Sequence, residues 1–195
     1  MPPKAKITRD MIIDAGFEIA REEGAENINA RTVSKKLNCS TQPVMYHFAT
    51  IEELKRVVYE KTDRYHTGYL MKADPQAEDF MLAIGLNYIR FAIEEPHLFR
   101  FLFQSGYAAE NSLLEMIDSR ELKPILAAMQ EATGMKETQM KEVFLTIALF
   151  AHGYASLIAN NSFAFDETVV SAHLERAYRG AAKGGMEDSH DKVVG

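Results

Sequence analysis

The sequence lacks tryptophan and contains a single cysteine, Cys39, in 195 residues. One cysteine cannot form an internal disulfide or a cysteine-based zinc site, so we expect a reducing compartment. We find no run of the roughly 18 apolar residues that a membrane span requires, and no apolar signal-peptide stretch at the start. These absences predict a cytoplasmic protein with no membrane association.

Positive charge is scarce overall, because the formal net charge is -6. Residues 1–65 carry 11 lysines and arginines against 10 aspartates and glutamates, whereas the remainder carries 11 against 18. Within the first third, six of the ten acidic residues precede residue 30 and seven of the eleven basic residues follow it. Such local clustering suits a polyanionic partner, although a solvated basic face gives the same pattern.

Apolar residues recur at helical spacing, without strand-like alternation or an internal repeat. Thr8 is placed to cap a first helix that Gly24 ends, and Asn29 is placed to cap a second. Proline, glycine and asparagine breaks divide the remainder into further helices. The later predicted helices span 41–48, 50–71, 76–94, 96–105, 110–131, 136–160 and 167–182.

Residues 29–48 contain two short helical segments around a turn at 38–40. This is the helix-turn-helix arrangement, whose first helix braces against the phosphate backbone while its second lies in the major groove. In the second helix, Val44 and Phe48 share one face because they are four residues apart. We therefore predict that this face is buried and that Gln42 and Tyr46 point outward.

The predicted outward face suits contact with a DNA groove. Gln42 can pair bidentately with adenine, and Tyr46 or His47 can reach a phosphate or a base. Pro43 and Met45 can touch thymine methyl groups. An ordinary helical hairpin with a partly buried tyrosine would have the same spacing, so spacing alone leaves both interpretations open.

Residues 8–56 resemble the DNA-binding domain of the TetR family of bacterial transcriptional repressors. The matching positions include Gly24 and the segments 30–33 (Ala-Arg-Thr-Val), 44–48 (Val-Met-Tyr-His-Phe) and 52–54 (Glu-Glu-Leu). This stretch is about a quarter of the chain, and its ordered spacing is more specific than a lone helix-turn-helix. The helical remainder is consistent with the architecture of the family.

The resemblance implies a set of DNA-contacting residues. Carried over by position, they are Arg31, Thr41, Gln42, Pro43, Met45, Tyr46, His47 and Lys55. Arg31, at the start of the second helix, is the candidate for guanine or phosphate. Lys4 and Lys6 could add an arm in the minor groove, the alternative being an untethered tail.

Three positions depart from the family pattern. Met45 stands where the family usually has a phosphate-contacting tyrosine, and Ile51 stands where a lysine commonly contacts phosphate. Asn38 replaces a turn glycine, which asparagine can do because it adopts positive φ more readily than most residues. The neighbouring residues Tyr46, Thr50 and Lys55 could supply phosphate contacts instead.

The chain beyond residue 65 holds 14 of the 19 phenylalanines and tyrosines and 7 of the 10 methionines. Such residues suit an apolar pocket, although the same stripe is typical of an ordinary core. The resemblance implies a cavity here for a small apolar or amphipathic effector. The expected lining residues are Phe80, Ile84, Tyr88, Phe91, Phe99, Phe103, Met116, Phe144 and His152.

The resemblance also implies a homodimer in which the last two long helices pair with their symmetry mates. A two-fold dimer spaces its reading helices by roughly 34–36 Å, so the operator should be a near-palindrome in double-stranded DNA. We predict an all-α fold with an N-terminal three-helix helix-turn-helix DNA-binding domain and a larger helical ligand-binding and dimerisation domain. The predicted boundaries are 1–50 for the first domain, 51–71 for a joining helix, 72–183 for the second domain and 184–195 for a flexible tail.

Signatures of common enzymes are missing from the sequence, including a phosphate-binding loop, His-Glu-x-x-His and Gly-x-Ser-x-Gly. Glu94, Glu95 and His97 adjoin Pro96, and we interpret them as a surface turn rather than a metal site. We predict no catalytic residue, metal or cofactor, and a dimeric repressor that an effector releases from DNA. The alternatives are a DNA-binding factor of the same fold without an effector, and an all-helical enzyme or interaction module.

Overall fold

The computed structural model describes residues 7–73, 80–108, 113–119, 122–161 and 163–191, with the backbone alone for 113–114 and 184–191. The described residues form ten α-helices and a 3-10 turn, Ala25–Asn27, with no strand among them, which confirms the all-α class. The helices are α1 (Arg9–Glu23), α2 (Ala30–Lys36), α3 (Gln42–His47), α4 (Ile51–Leu70), α5 (Phe80–Glu94), α6 (Pro96–Gln104), α7 (Leu113–Ile117), α8 (Lys123–Thr133), α9 (Glu137–Asn161) and α10 (Glu167–Asp191).

Helix α1 begins and ends at the residues that the sequence predicts. The Thr8 hydroxyl accepts a hydrogen bond from the backbone N–H of Met11 at 3.2 Å and caps the helix. Gly24 follows the last turn with a φ of 99°, which residues with a side chain rarely adopt. Its N–H donates to the carbonyl of Ala20, so the chain leaves the helix without an unsatisfied donor at this point.

The prediction of one helix over 110–131 is wrong, because this span contains α7 and the greater part of α8. Pro124 lies in the first turn of α8, where its missing N–H costs little. In the middle of a longer helix the same proline would break a hydrogen bond and clash with the preceding turn. Gly134 then ends α8 in the left-handed conformation, at a φ of 64°.

Contacts between Cα atoms divide the chain into two compact units. The first unit is Met1–Tyr65 with Glu95–Ala108, and the second is His66–Glu94 with Ala109–Gly195. Helix α6 therefore belongs to the N-terminal unit, whereas the predicted boundaries assigned it to the larger domain. The predicted tail falls on the last turns of α10 and on residues 192–195, which lie outside the described residues, as do Lys4 and Lys6.

In the first unit, α1 packs against α2, α3 and α6. The carboxylate of Glu95, just before α6, is buried and accepts hydrogen bonds from Arg21 at 2.8 and 2.5 Å and from the Tyr65 hydroxyl at 3.0 Å. The bond to Glu95 holds the pKa of Arg21 above its ordinary value. The interpretation of Glu95 as part of a surface turn is therefore wrong, since these donors satisfy it in the interior.

In the second unit, α9 packs against α5, α8 and α10. Gly85 permits a close approach of α5, because a Cβ there would lie 3.3 Å from the Leu174 side chain and 3.5 Å from Ile147. By length and composition alone α9 could cross a membrane. Val143 and Ala155 are among its buried residues, whereas other apolar residues, such as Leu149 and Leu157, are exposed.

Candidate nucleic-acid interface

A reciprocal pair of hydrogen bonds fixes the start of α2. The Asn29 side-chain oxygen accepts from the backbone N–H groups of Arg31 at 3.0 Å and Thr32 at 3.1 Å. In return, the Thr32 hydroxyl accepts from the backbone N–H of Asn29 at 3.1 Å. This capping box confirms the predicted role of Asn29 and places Arg31 in the exposed first turn of α2.

The turn between α2 and α3 depends on one asparagine. Asn38 has a φ of 50° and is the single residue other than glycine with a positive φ in the described part of the chain. Asparagine tolerates this conformation better than most residues, as the sequence predicts. The next residue, Cys39, donates its backbone N–H to the Ser34 carbonyl at 2.9 Å, which closes the turn.

Helix α3 has the two predicted faces. Val44 and Phe48 are fully buried, whereas the exposed fraction is 83% for Tyr46 and 44% for Met45. Gln42 is also exposed, and Pro43 lies in the first turn. The orientation inferred from the spacing is therefore confirmed, and the outward side of α3 presents an amide, a thioether and a phenol to one region of space.

Contacts within the first unit hold α3 in this orientation. The Arg9 guanidinium lies 4.8 Å from the centroid of the Phe48 ring, which anchors the buried end of the helix. The His47 Nε2 donates to the Ile7 carbonyl at 3.1 Å. The His47 ring also packs edge-on against Tyr46, with 5.2 Å between centroids. His47 thus positions its neighbours, a role that the sequence analysis did not foresee.

The structure places the predicted DNA-contacting residues in two environments. Thr41, Gln42, Met45 and Tyr46 lie together on and beside the outward side of α3. Lys55 instead lines a cleft with residues of α6; its side chain is 19% exposed and its Nζ lies 3.7 Å from Glu52. The outward side of α3 therefore does not share this cleft, whose lining includes no residue of α3.

The predicted effector-lining residues fall in both units. Phe99 and Phe103 are on α6 in the first unit, and the others belong to the second. Within the second unit, the apolar members are largely buried in the core, as an ordinary packing role also requires. The buried residues of this predicted set in the second unit are Phe80, Ile84, Phe91 and Phe144, and Met116 is half-buried.

A short chain of polar groups crosses this apolar region. The Tyr88 hydroxyl lies 2.8 Å from His152 Nδ1, and His152 Nε2 lies 3.1 Å from the Ser156 hydroxyl. Burial lowers the pKa of His152 and raises that of Tyr88. The imidazole of His152 is therefore neutral at pH 7. When Tyr88 donates its hydroxyl proton to Nδ1, the imidazole carries its one N–H on Nε2, facing Ser156.

Sequence reasoning missed His66 of α4, which adjoins this chain. Its ring packs edge-on against Phe91 at 4.8 Å and Tyr88 at 5.4 Å, and burial lowers its pKa to about 3. The signal that could have found it is its spacing. His66 comes four residues after Thr62 and three before Tyr69, and all three lie on the buried side of α4.

The outward side of α9 carries exposed apolar residues at four-residue intervals. Leu149 and Leu157 are about half exposed, and Gly153 lies midway between them. Apart from the adjoining backbone of α9, a Cβ at Gly153 would meet no atom of the described residues within 4 Å. Val169 of α10 is exposed as well. Packing within the second unit therefore does not explain this stripe.

Comparison with known proteins places these features in context. A family model described as tetracyclin repressor-like, C-terminal domain, matches residues 81–181. The HTH-type transcriptional regulator YobS of Bacillus subtilis (strain 168) is 24% identical over 182 residues, which is 88% of this chain and 90% of that protein.

Solved structures show the same fold. The multidrug binding protein EbrR, complexed with imidazole, has a TM-score of 0.56 at 16% identity, covering 87% of this chain and 93% of that one. EbrR complexed with ethidium has a TM-score of 0.54 at 16% identity, covering 91% and 99%. A TetR family member from Streptomyces coelicolor A3 has a TM-score of 0.55 at 18% identity, covering 87% and 96%.

Proposed function

The chain belongs to the TetR family of transcriptional regulators, and from this premise we propose that it is a cytoplasmic, ligand-responsive repressor rather than an enzyme. In this proposal a homodimer binds a palindromic operator and a small-molecule effector releases it. The observation that carries the DNA-binding step is the outward side of α3. Gln42, Met45 and Tyr46 are exposed there while Val44 and Phe48 anchor the helix from behind.

The proposed division of labour on DNA follows the chemistry of each side chain. Gln42 pairs with adenine, Pro43 and Met45 contact thymine methyl groups, and Tyr46 contacts a phosphate or a base. The residues flanking this group add contacts from the turns before and after it. The flanking residues are Arg31, Thr41 and His47.

The proposed dimer places the outward side of α9 at its centre. Leu149 and Leu157 would lose their exposure to water, and Gly153 would let two backbones approach closely. Two-fold symmetry would then present one α3 from each subunit to the same side of a duplex, roughly 34–36 Å apart. An operator read in this way has two half-sites in inverted orientation.

We propose that the effector binds among the aromatic residues of the second unit. The Tyr88–His152–Ser156 chain would orient one polar group of an otherwise apolar molecule. The fold that the chain shares with EbrR, a multidrug binding protein solved with ethidium, supports this class of ligand. Release requires only that the effector favour a dimer state unsuited to the operator, with a coupling of about 1–3 kcal/mol.

A selection from random double-stranded oligonucleotides with the purified protein tests DNA binding and symmetry together. We expect an inverted repeat whose affinity falls steeply with salt. Arg31→Ala and Gln42→Ala should each weaken binding by about 1–3 kcal/mol, whereas Arg64→Ala and Gln130→Ala, at exposed sites off α3, should not. A salt slope near zero, or full affinity in both Arg31→Ala and Gln42→Ala, would contradict the proposal.

A further inference from the structure

An open cleft of about 380 Å3 lies within the first unit. Its lining comes from the residues around the 3-10 turn, from α4, from α6 and from the segment that follows α6. The lining residues that carry chemistry are Glu26, Lys55, His97, Arg100, Phe101 and Tyr107. Of the residues predicted above to contact DNA or the effector, Lys55 alone lines this cleft. Those roles therefore leave the rest of its composition unexplained.

Several residues of the cleft lining are hydrogen-bond donors. Lys55 and Arg100 supply two permanent positive charges, and an Arg100 nitrogen donates to His97 Nδ1 at 3.2 Å. With Nδ1 accepting, the imidazole carries its proton on Nε2, which is a further donor. Among the described residues, the ammonium of Lys55 has one ion-pair interaction, with Glu52 at 3.7 Å, which is longer than a close ion pair.

Phe101 and Tyr107 supply aromatic surface to the cleft lining. The buried Phe101 ring packs edge-on against Tyr107 with 5.6 Å between centroids, and against Tyr59 at 5.5 Å. The hydroxyl of Tyr107 donates to Glu52, which fixes the phenol ring at the rim. A planar ring of a ligand could therefore pack on a surface that is already ordered.

We propose that this cleft binds a small aromatic carboxylate. The carboxylate accepts hydrogen bonds from Arg100 and Lys55, and the ring packs against Phe101 and Tyr107. The volume lies in the range of roughly 300–1,000 Å3 that is typical of small-molecule sites. The cleft lining also includes the carboxylate of Glu26, in the 3-10 turn. Its negative charge disfavours a ligand with two negative charges, so a monoanion binds better than inorganic phosphate.

Isothermal titration of the full chain with benzoate tests this site. We expect saturable binding that is at least tenfold weaker in Arg100→Gln and in Lys55→Gln. Arg64→Gln, which removes an exposed charge of α4 outside the lining, should keep the wild-type affinity. Far-ultraviolet circular dichroism and thermal unfolding of each variant without ligand establish that loss of binding is not loss of fold.

Two further probes test which chemical class of ligand the cleft binds. Benzylamine keeps the ring and reverses the charge, and inorganic phosphate keeps the negative charge without a ring. We expect both to bind at least tenfold more weakly than benzoate. The proposal is overturned if benzoate does not saturate, if both cleft variants bind it normally, or if benzylamine or phosphate binds as tightly. Since the test involves no DNA, its failure leaves the proposed repressor function unaffected.

Discussion

Replacing His66 by phenylalanine should remove part of the acid sensitivity of the folded protein. Burial lowers the pKa of this imidazole from 6.5 to about 3. Between these values the unfolded chain binds a proton at His66 and the folded chain does not. Stability contributed by the neutral ring is therefore present above pH 6.5 and is lost as the pH falls toward 3.

The size of the effect follows from the same two pKa values. Each unit of difference between them corresponds to about 1.4 kcal/mol, and the loss between pH 7 and pH 5 comes to about 2 kcal/mol. His66→Phe keeps an aromatic ring between Tyr88 and Phe91 but cannot titrate. The drop in unfolding free energy from pH 7 to pH 5 should therefore be about 2 kcal/mol smaller in the variant.

Urea denaturation followed by circular dichroism, at one fixed protein concentration and several pH values, measures this difference. Phe91→Leu is the matched control, because it loosens the same cluster without removing an ionisable group, and it should keep the wild-type pH dependence. Contributions from His152 are common to all three proteins and cancel in the comparison. If His66→Phe and the wild type lose equal stability on acidification, the neutral buried imidazole is not the cause.

Three further predictions concern stability and assembly. Arg21→Met should lower the unfolding free energy by about 2 kcal/mol in urea denaturation. This is less than the cost of breaking a fully buried ion pair, because the Arg21 side chain is 42% exposed. An unchanged midpoint would show that Tyr65 alone satisfies Glu95. Gly24→Ala should cost about 1–3 kcal/mol, because alanine is strained at the φ of 99° that Gly24 adopts. Thermal unfolding at the wild-type temperature would refute this. Leu157→Glu should shift the proposed dimer to monomer in light scattering, and an unaltered mass would exclude this face.

The parts of the fold that sequence predicts are those set by neighbouring residues. Thr8 and Asn29 act on donors two or three positions away, so their capping roles are legible in the chain. The two faces of α3 follow from the four-residue interval between Val44 and Phe48. Both kinds of signal are local, and the structure confirms both.

The features that sequence did not predict depend on partners that are distant along the chain. Glu95 is buried because Arg21, 74 positions earlier, supplies two hydrogen bonds. Lys55 turns toward α6, an element that begins 41 positions later. The neutral state of His66 likewise requires rings from α5. No local pattern encodes these pairings, because each depends on which surfaces meet after folding.

Because α3 is short, it limits the number of base pairs that one copy of the chain could contact. Six residues at a rise of about 1.5 Å span about 9 Å, the length of roughly three base steps. Since each position holds one of four base pairs, a given sequence of three base pairs recurs about every 64 positions. Two such triplets at a fixed spacing recur about every 4,096 positions. A bacterial chromosome would offer many chance matches to two such triplets. If the chain binds DNA as proposed, it must draw its remaining selectivity from the spacing of the two triplets and from the shape of the duplex between them.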